Sequence, residues 1–155
     1  MKIGFYAGSF DMFTKGHLHV VKVAAEMFEK VVIGIGIHPQ KKRRYDKNIM
    51  KSAIEKVLKS EGLSNVAVII YEGLTADAAL EYNAKYLIRG LRNGMDYAYE
   101  EELASTNNEI SDGLLETIFL RAGNLSYVSS SMVVELLMAG KNVSKYVPKD
   151  VLDIL

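Results

Sequence analysis

The sequence predicts an α/β fold in which a five-stranded parallel sheet carries helices on both faces. Short apolar runs alternate five times with segments whose apolar residues recur at helical spacing. The strand runs are almost continuously apolar, as expected for parallel strands that are covered on both faces. Polar residues cluster after the strands, where sheets of this class bind their ligands, and therefore predict one site at one rim. The predicted strands span 2–7, 30–37, 65–71, 85–88 and 115–120, and the predicted helices span 18–28, 47–60, 76–83, 97–110 and 132–138.

Length and composition exclude several classes of protein. The chain has 155 residues, which suits one domain, 1–155, with its own core. Its formal net charge is 0, so charge gives no argument for a nucleic acid partner. Cysteine is absent, which excludes disulfides and thiolate metal sites. No secretion signal is seen, and no apolar run approaches the ~20 residues of a membrane span, so we expect a cytoplasmic protein with no membrane partner.

The first strand–turn–helix unit is the centre of the predicted site. Its turn, 8–17, contains Gly8 and Gly16, which we expect where the backbone approaches another group closely or adopts unusual dihedrals. His17 falls in the first turn of the following helix, where free N–H groups and the helix dipole attract anions. The unit therefore predicts a phosphate site that is served by a protonated imidazole.

The second strand ends in a strongly basic loop. Gly34 and Gly36 suggest a dinucleotide fingerprint, but the fingerprint needs a third glycine and an immediate helix, whereas Pro39 and a loop follow here. The loop 38–45 contains four consecutive cations, 41–44. Two interpretations stay open at this point: a solvated basic loop and a patch that binds an anionic substrate.

The helix before the third strand and the turn after that strand show the usual residues of helix ends and turns. Asp46 is a candidate N-cap for the helix 47–60, and Gly62 is its expected stop. Gly73 and Leu74 follow the third strand. From these two residues alone, a plain strand–helix turn is the favoured interpretation.

Two arginines follow the fourth predicted strand. Arg89 and Arg92 are separated by Gly90, and both Gly90 and Gly94 disfavour a helix there, so a solvated helix face does not explain the arginines. Guanidinium groups bind phosphate through planar, bidentate hydrogen bonds. The pair therefore favours a second phosphate contact at the same rim.

Three serines, 129–131, precede the helix that follows the fifth strand. One hydroxyl is enough to cap a helix. Three hydroxyls together with free N–H groups form a candidate cradle for the β- and γ-phosphates of a nucleotide.

These motifs together resemble the phosphopantetheine adenylyltransferases, a family of the nucleotidyltransferase α/β superfamily. Residues 8–17 match G-S-F-D-x-x-T-x-G-H, which includes the [TH]-x-G-H signature of the superfamily. Residues 88–100 match I-R-G-L-R-x-x-x-D-x-x-Y-E, the most specific string, and V-S-S-S at 128–131 corresponds to I-S-S-[ST]. The resemblance spans essentially the whole chain and implies a Rossmann-like sheet with the strand order 3-2-1-4-5.

The resemblance implies transfer of the adenylyl group of ATP to 4′-phosphopantetheine, which gives dephospho-coenzyme A and pyrophosphate. It assigns catalytic roles to His17, Lys41 and Arg92. It assigns binding of 4′-phosphopantetheine to Ser9, Lys41, Gly73, Leu74 and Arg89, with Lys42 as an alternative to Lys41. It assigns binding of ATP to Gly8, Ser9, Phe10, His17, Arg92, Glu100, Ser129, Ser130 and Ser131.

The resemblance also implies a cofactor and an assembly. Mg²⁺ is expected to bind mainly through the phosphates of ATP, because the sequence offers no dedicated set of carboxylate ligands. Homohexamers are the assembly of the family. Neither a nucleic acid nor a membrane is expected as a partner.

The chain departs from the family pattern at five positions. Ala7 and Met12 replace two prolines of the first loop, and His19 replaces a frequent Asp. Ala122 and Leu125 replace a frequent Pro and a frequent Trp on the adenine side. Alternative functions are transfer from ATP or CTP to nicotinamide mononucleotide or to a sugar or polyol phosphate, and non-catalytic nucleotide binding.

Overall fold

The computed structural model describes all 155 residues and contains one five-stranded, all-parallel sheet. With the strands numbered along the chain its order is 3-2-1-4-5, so the predicted fold class and strand order are confirmed. The strands are β1 (Ile3–Gly8), β2 (Lys30–Ile37), β3 (Val66–Glu72), β4 (Tyr86–Leu91) and β5 (Glu116–Arg121). The helices are α1 (Lys15–Met27), α2 (Lys47–Ser60), α3 (Thr75–Glu81), α4 (Gly94–Ile110), α5 (Ser130–Met138) and α6 (Lys149–Leu152).

The sheet is buried on both faces. Side chains of β1 alternate between two apolar clusters, since Phe5 and Ala7 belong to one cluster and Tyr6 to the other. The larger cluster packs α1, α2 and α5 against one face, and the smaller cluster packs α3 against the other. This two-sided burial explains why the strand sequences are continuously apolar rather than alternating. None of the helices combines the length and the apolar character needed to span a bilayer.

The fourth unit differs from its prediction at both ends. β4 continues to Leu91, so Arg89 lies inside the strand, where it is paired with Phe119 of β5. The helix α4 begins at Gly94, although glycine was expected to disfavour a helix there. Asn93 caps this helix by accepting the N–H of Asp96 at 2.9 Å. Glycine is tolerated at this position because the low helix propensity of glycine matters most in the interior of a helix.

The turn after β1 is shaped by its own aromatic residue. A Cβ atom at Gly8 would lie 3.0 Å from the ring of Phe10, so the close approach that was expected at Gly8 is to this ring. Phe10, and not Gly8, adopts the left-handed conformation, with φ 44°. Its side chain is only 2% exposed and packs in the larger cluster. Burial of this ring therefore fixes the turn next to the start of α1.

Candidate active site

A cavity of about 400 Å³ opens at the carboxyl rim of the sheet, beside β1 and β4. The strand order reverses between these two strands, which is where sheets of this class bind ligands. The cavity is lined by three groups of residues: the turn after β1, the end of β4 with the start of α4, and the start of α5. From the predicted site it brings together Gly8, Ser9, Phe10, His17, Arg89, Arg92, Glu100, Ser129 and Ser130.

His17 is held by the cap of α1. Thr14 is the N-cap, and the backbone N–H of His17 donates to its Oγ1 at 3.4 Å. In return, the backbone N–H of Thr14 donates to Nδ1 of His17 at 2.9 Å. Because Nδ1 accepts this hydrogen bond, the proton of the neutral imidazole is assigned to Nε2. The hydrogen bonds that begin the helix thus also set the tautomer of His17.

The surroundings of the imidazole favour its neutral form in the free protein. It stacks on Phe13, with ring centroids 5.6 Å apart, and meets the edge of Phe10 at 5.0 Å. Burial, together with the positive charges of Arg89 and Arg92, lowers the pKa of His17 from 6.5 to about 4. The free protein therefore does not meet the expectation of a protonated imidazole, because the ring is buried and the same pocket also contains two cations. The side chain offers a neutral N–H donor.

Arg89 is fixed by a bidentate ion pair. Its Nε and Nη2 donate to the two carboxylate oxygens of Glu100, each at 2.7 Å, and its Nη1 donates to the carbonyl of Ala7 at 2.8 Å. Burial lowers the pKa of Arg89, but the hydrogen bonds and the charge of Glu100 raise it by more, so the guanidinium stays charged. In the free protein Glu100 therefore contacts Arg89 with both oxygens.

Arg92 is more loosely held. Its Nε lies 3.0 Å from Oδ2 of Asp96, in an i,i+4 pair whose arginine side chain is 44% exposed. Exposed pairs of this kind contribute about 0–1 kcal/mol. Arg92 can therefore exchange its carboxylate partner for a phosphate at little cost.

The serine run has two structural contacts besides its place at the cavity. The Ser129 Oγ accepts the N–H of Met132 at 3.1 Å and caps α5. The Ser130 hydroxyl donates to the carbonyl of Met12 at 2.7 Å and joins α5 to the turn after β1. Ser131 is exposed, lies outside the cavity and borders a neighbouring surface groove with Asp11.

Comparison with known proteins places this site in a family. The sequence model of the cytidylyltransferase-like family matches residues 5–136. The phosphopantetheine adenylyltransferase of Lachnoclostridium phytofermentans is 37% identical over 155 residues, which are 100% of this chain and 94% of that protein. The phosphopantetheine adenylyltransferase of Leuconostoc mesenteroides is 40% identical over 157 residues, again with 100% and 94% covered. The chain belongs to the phosphopantetheine adenylyltransferase family.

A solved structure supports the fold of this family member. A provisionally assigned nicotinate-nucleotide adenylyltransferase from Vibrio parahaemolyticus superimposes with a TM-score of 0.75 and covers 99% of both chains. Its sequence identity of 21% limits the likeness to the fold.

The remaining predicted residues of this family member lie outside the cavity. Lys41, Gly73 and Leu74 are exposed, on the loops after β2 and β3, and none of them lines the cavity. Gly73 has φ 85°, a conformation that glycine adopts readily. The acceptor roles of these residues, like the ligand roles of the residues inside the cavity, stay predictions.

Four residues whose polar side chains line the cavity are not among the predicted site residues. They are Tyr6, Thr14, Asp96 and Tyr99. Burial raises the pKa of Tyr6, so its hydroxyl is protonated and can donate a hydrogen bond. The spacing T-x-x-H, typical of a helix cap, could have indicated Thr14. The i,i+4 spacing from Arg92 could have indicated Asp96. Tyr6 had no such signal, because it looks like one more apolar residue of a buried strand.

Proposed function

We propose that this protein transfers the adenylyl group of ATP to 4′-phosphopantetheine and releases pyrophosphate. The observation that carries the proposal is the convergence of four donor groups on one cavity: the starts of α1 and α5, Arg89 and Arg92. Helix N-termini and guanidinium groups are the anion-binding elements that a nucleoside triphosphate and a phosphate monoester require. The relatives that align over the whole chain are named phosphopantetheine adenylyltransferases, and this name supports the two substrates.

The reaction needs no covalent enzyme intermediate. An oxygen of the acceptor phosphate attacks the α-phosphorus of ATP and forms a new P–O bond. The bond from the α-phosphorus to the oxygen that bridges to the β-phosphate breaks in line, and pyrophosphate leaves with that electron pair. The protein therefore has to position two polyanions and stabilise the charge that develops on the α-phosphate.

His17 would stabilise the α-phosphate in the transition state. The hydrogen bond from Thr14 leaves its Nε2–H as the free donor of the imidazole, and the aromatic packing holds the ring in place. A fixed donor that faces developing negative charge lowers the barrier without reorganisation. The approach of a polyanion favours the imidazolium form, so substrate binding would also raise the pKa of His17.

The other donors divide between the two substrates. Arg92, Ser129 and Ser130 would contact the β- and γ-phosphates, with the free N–H groups at the start of α5. Arg89 would face the acceptor phosphate together with Lys41. Gly73 and Leu74 would offer backbone groups and an apolar wall, which suits a pantetheine arm better than a charged, planar nicotinamide ribotide.

Magnesium would be held through the phosphates of ATP. The two carboxylates at the cavity, Asp96 and Glu100, are both paired with arginines, and no group of three His, Asp or Glu residues is arranged to hold a metal ion. These residues therefore fit a cation whose ligands are mainly the phosphate oxygens of the bound nucleotide. Bound there, Mg²⁺ would neutralise charge on the leaving pyrophosphate.

We also propose a homohexamer that acts in the cytoplasm. The resemblance to the family supports both statements. Large apolar side chains exposed along α4, including Met95 at 88% and Tyr97 at 48%, offer such an assembly apolar surface to bury. A native mass of six chains would agree with the assembly, and a monomer would contradict it.

The test of the proposed function is a side-by-side assay of pyrophosphate release. We expect kcat/KM with 4′-phosphopantetheine and ATP to exceed that with nicotinamide mononucleotide or glycerol 3-phosphate at least about a hundredfold, roughly 2.7 kcal/mol in transition-state binding. Preference for either rival acceptor, or for CTP over ATP, would overturn the assignment. No pyrophosphate with any acceptor would indicate a binding protein.

A further inference from the structure

Two loops at the rim are joined by a largely buried ion pair. Asp11 lies in the turn after β1, and Arg43 lies in the basic loop after β2. Nη2 of Arg43 is 3.7 Å from Oδ1 of Asp11, and the side chains of Arg43 and Asp11 are 14% and 17% exposed. The Asp11 carboxylate also accepts the backbone N–H groups of Arg44 at 2.7 Å and Tyr45 at 2.9 Å. Asp11 therefore holds the basic loop by its backbone.

Arg43 makes the reciprocal contacts. Its guanidinium donates to the carbonyl of Ser9 and, at 3.4 Å, to the carbonyl of Phe10. Its Nε donates to the carbonyl of Tyr45 at 3.0 Å, within its own loop. Together with the two bonds to Asp11, four hydrogen bonds connect the loop to the turn, and no other hydrogen bond joins residues 38–45 to another segment.

The turn would contact both substrates, since Ser9 is a predicted contact of each, whereas the basic loop would contact the acceptor alone. Ser9 and Phe10 line the cavity, and the Phe10 ring contacts His17. Lys41, the predicted contact of the acceptor phosphate, lies two residues before Arg43. Arg43 itself does not line the cavity. The contacts of Arg43 therefore set the distance between the two halves of the site, and they do so from outside the cavity.

We propose that Arg43 is a positioning residue for adenylyl transfer, which holds the basic loop in register with His17 through Asp11 and the carbonyls of Ser9 and Phe10. This inference rests on the proposed function. Loss of Arg43 would loosen the loop, which would keep only its two backbone bonds to Asp11. The turn would stay in place, because it keeps its aromatic packing and the bond from Ser130 to the Met12 carbonyl. The effect should therefore appear on the acceptor and not on ATP.

The neighbouring arginine provides a matched control. The side chain of Arg44 is exposed and makes no hydrogen bond or ion pair; only its backbone N–H contacts Asp11. Arg44→Met thus removes the same charge and shape as Arg43→Met but leaves the connection between the loops. Lysine at position 43 would keep the charge but lose the planar fork that reaches two carbonyls and a carboxylate.

The experiment measures steady-state kinetics and thermal unfolding of the full chain with ATP and 4′-phosphopantetheine. We expect Arg43→Met to raise KM for the acceptor at least about tenfold and KM for ATP less than about threefold. Arg43→Lys should retain most of this defect. Arg44→Met should stay within about twofold of wild type for both substrates.

Three results would overturn the proposal: equal defects in Arg43→Met and Arg44→Met, full activity of Arg43→Lys, or a lower Tm of Arg43→Met with unchanged kinetics. If Arg43→Met does not fold, Asp11→Asn, which keeps the side-chain volume but loses the charge, takes its place with the same expected change in KM. If wild type prefers another phosphate acceptor, the proposed function fails, and the variants are compared with that acceptor instead.

Discussion

The two sides of the rim differ in how much of their geometry is fixed by folding alone. On the nucleotide side, His17 is oriented by the cap of α1, and Ser130 is bonded to a backbone carbonyl of the turn after β1. On the acceptor side, Lys41, Gly73 and Leu74 lie on exposed loops. His17 and the start of α5 are therefore organised before any substrate binds, whereas on the acceptor side only Arg89 is fixed by folding, through Glu100, and the other predicted contacts lie on exposed loops.

This difference separates the expected kinetic effects. A donor that folding has already aimed at the α-phosphate interacts most strongly in the transition state, so its loss lowers kcat. A lysine on an exposed loop contributes to binding in both states, so its loss raises KM. The predictions below test this division, beginning with the largest effect.

His17→Ala should have the largest effect of any single substitution. We expect kcat to fall about 10²–10³-fold, as for removal of one preorganised donor, with little change in the affinity for ATP. Stopped-flow binding of ATP and steady-state turnover would measure the two quantities separately. His17→Gln, which can still donate a hydrogen bond, should lose less. Turnover like wild type in His17→Ala would show that the imidazole has no role in the chemical step.

Lys41→Ala should act on the acceptor side. We expect a loss of about 1–3 kcal/mol in acceptor binding, typical of a charge-assisted contact, with KM for ATP nearly unchanged. Lys42→Ala is the control, since it removes the same charge one residue further along the loop. A larger defect in Lys42→Ala would transfer the role to that residue.

Ser130→Ala should have the smallest effect, on the nucleotide side. We expect KM for ATP to rise several-fold, about 1 kcal/mol for one hydrogen bond, while KM for the acceptor stays constant. The variant also loses the bond to the Met12 carbonyl, so Tm should fall slightly. A lower Tm with unchanged KM for ATP would mean that Ser130 only joins α5 to the turn.

Much of the fold follows from the sequence because its signals are local. Continuous apolar strands, helical periodicity and the cap at Asp46 predicted the elements, and the observed bounds of α2 are those expected, Lys47–Ser60. The strand order came from the family resemblance and is confirmed. The turn after β1, Arg89, Arg92 and the serine run are all expected at one rim, and the cavity brings them together except for Ser131.

The features of the site that the sequence does not predict depend on contacts between different segments of the chain. The sequence does not show that Arg89 and Glu100 form a bidentate pair, because the strand–turn–helix geometry between them decides it. The low pKa of His17 comes first from burial in the folded core and then from two arginines that are more than 70 residues away in the chain. The connection from Asp11 to the basic loop likewise spans more than 30 residues.

The protonation state of His17 in the free protein is measured directly by NMR. The chain has three histidines, so His17 can be assigned from the imidazole ¹⁵N signals that disappear in His17→Gln. We predict a neutral ring at pH 7 with its proton on Nε2 and a pKa of about 4, because burial and two neighbouring arginines disfavour the charged form. A pKa at or above the ordinary 6.5, or a neutral ring with its proton on Nδ1, would contradict the account.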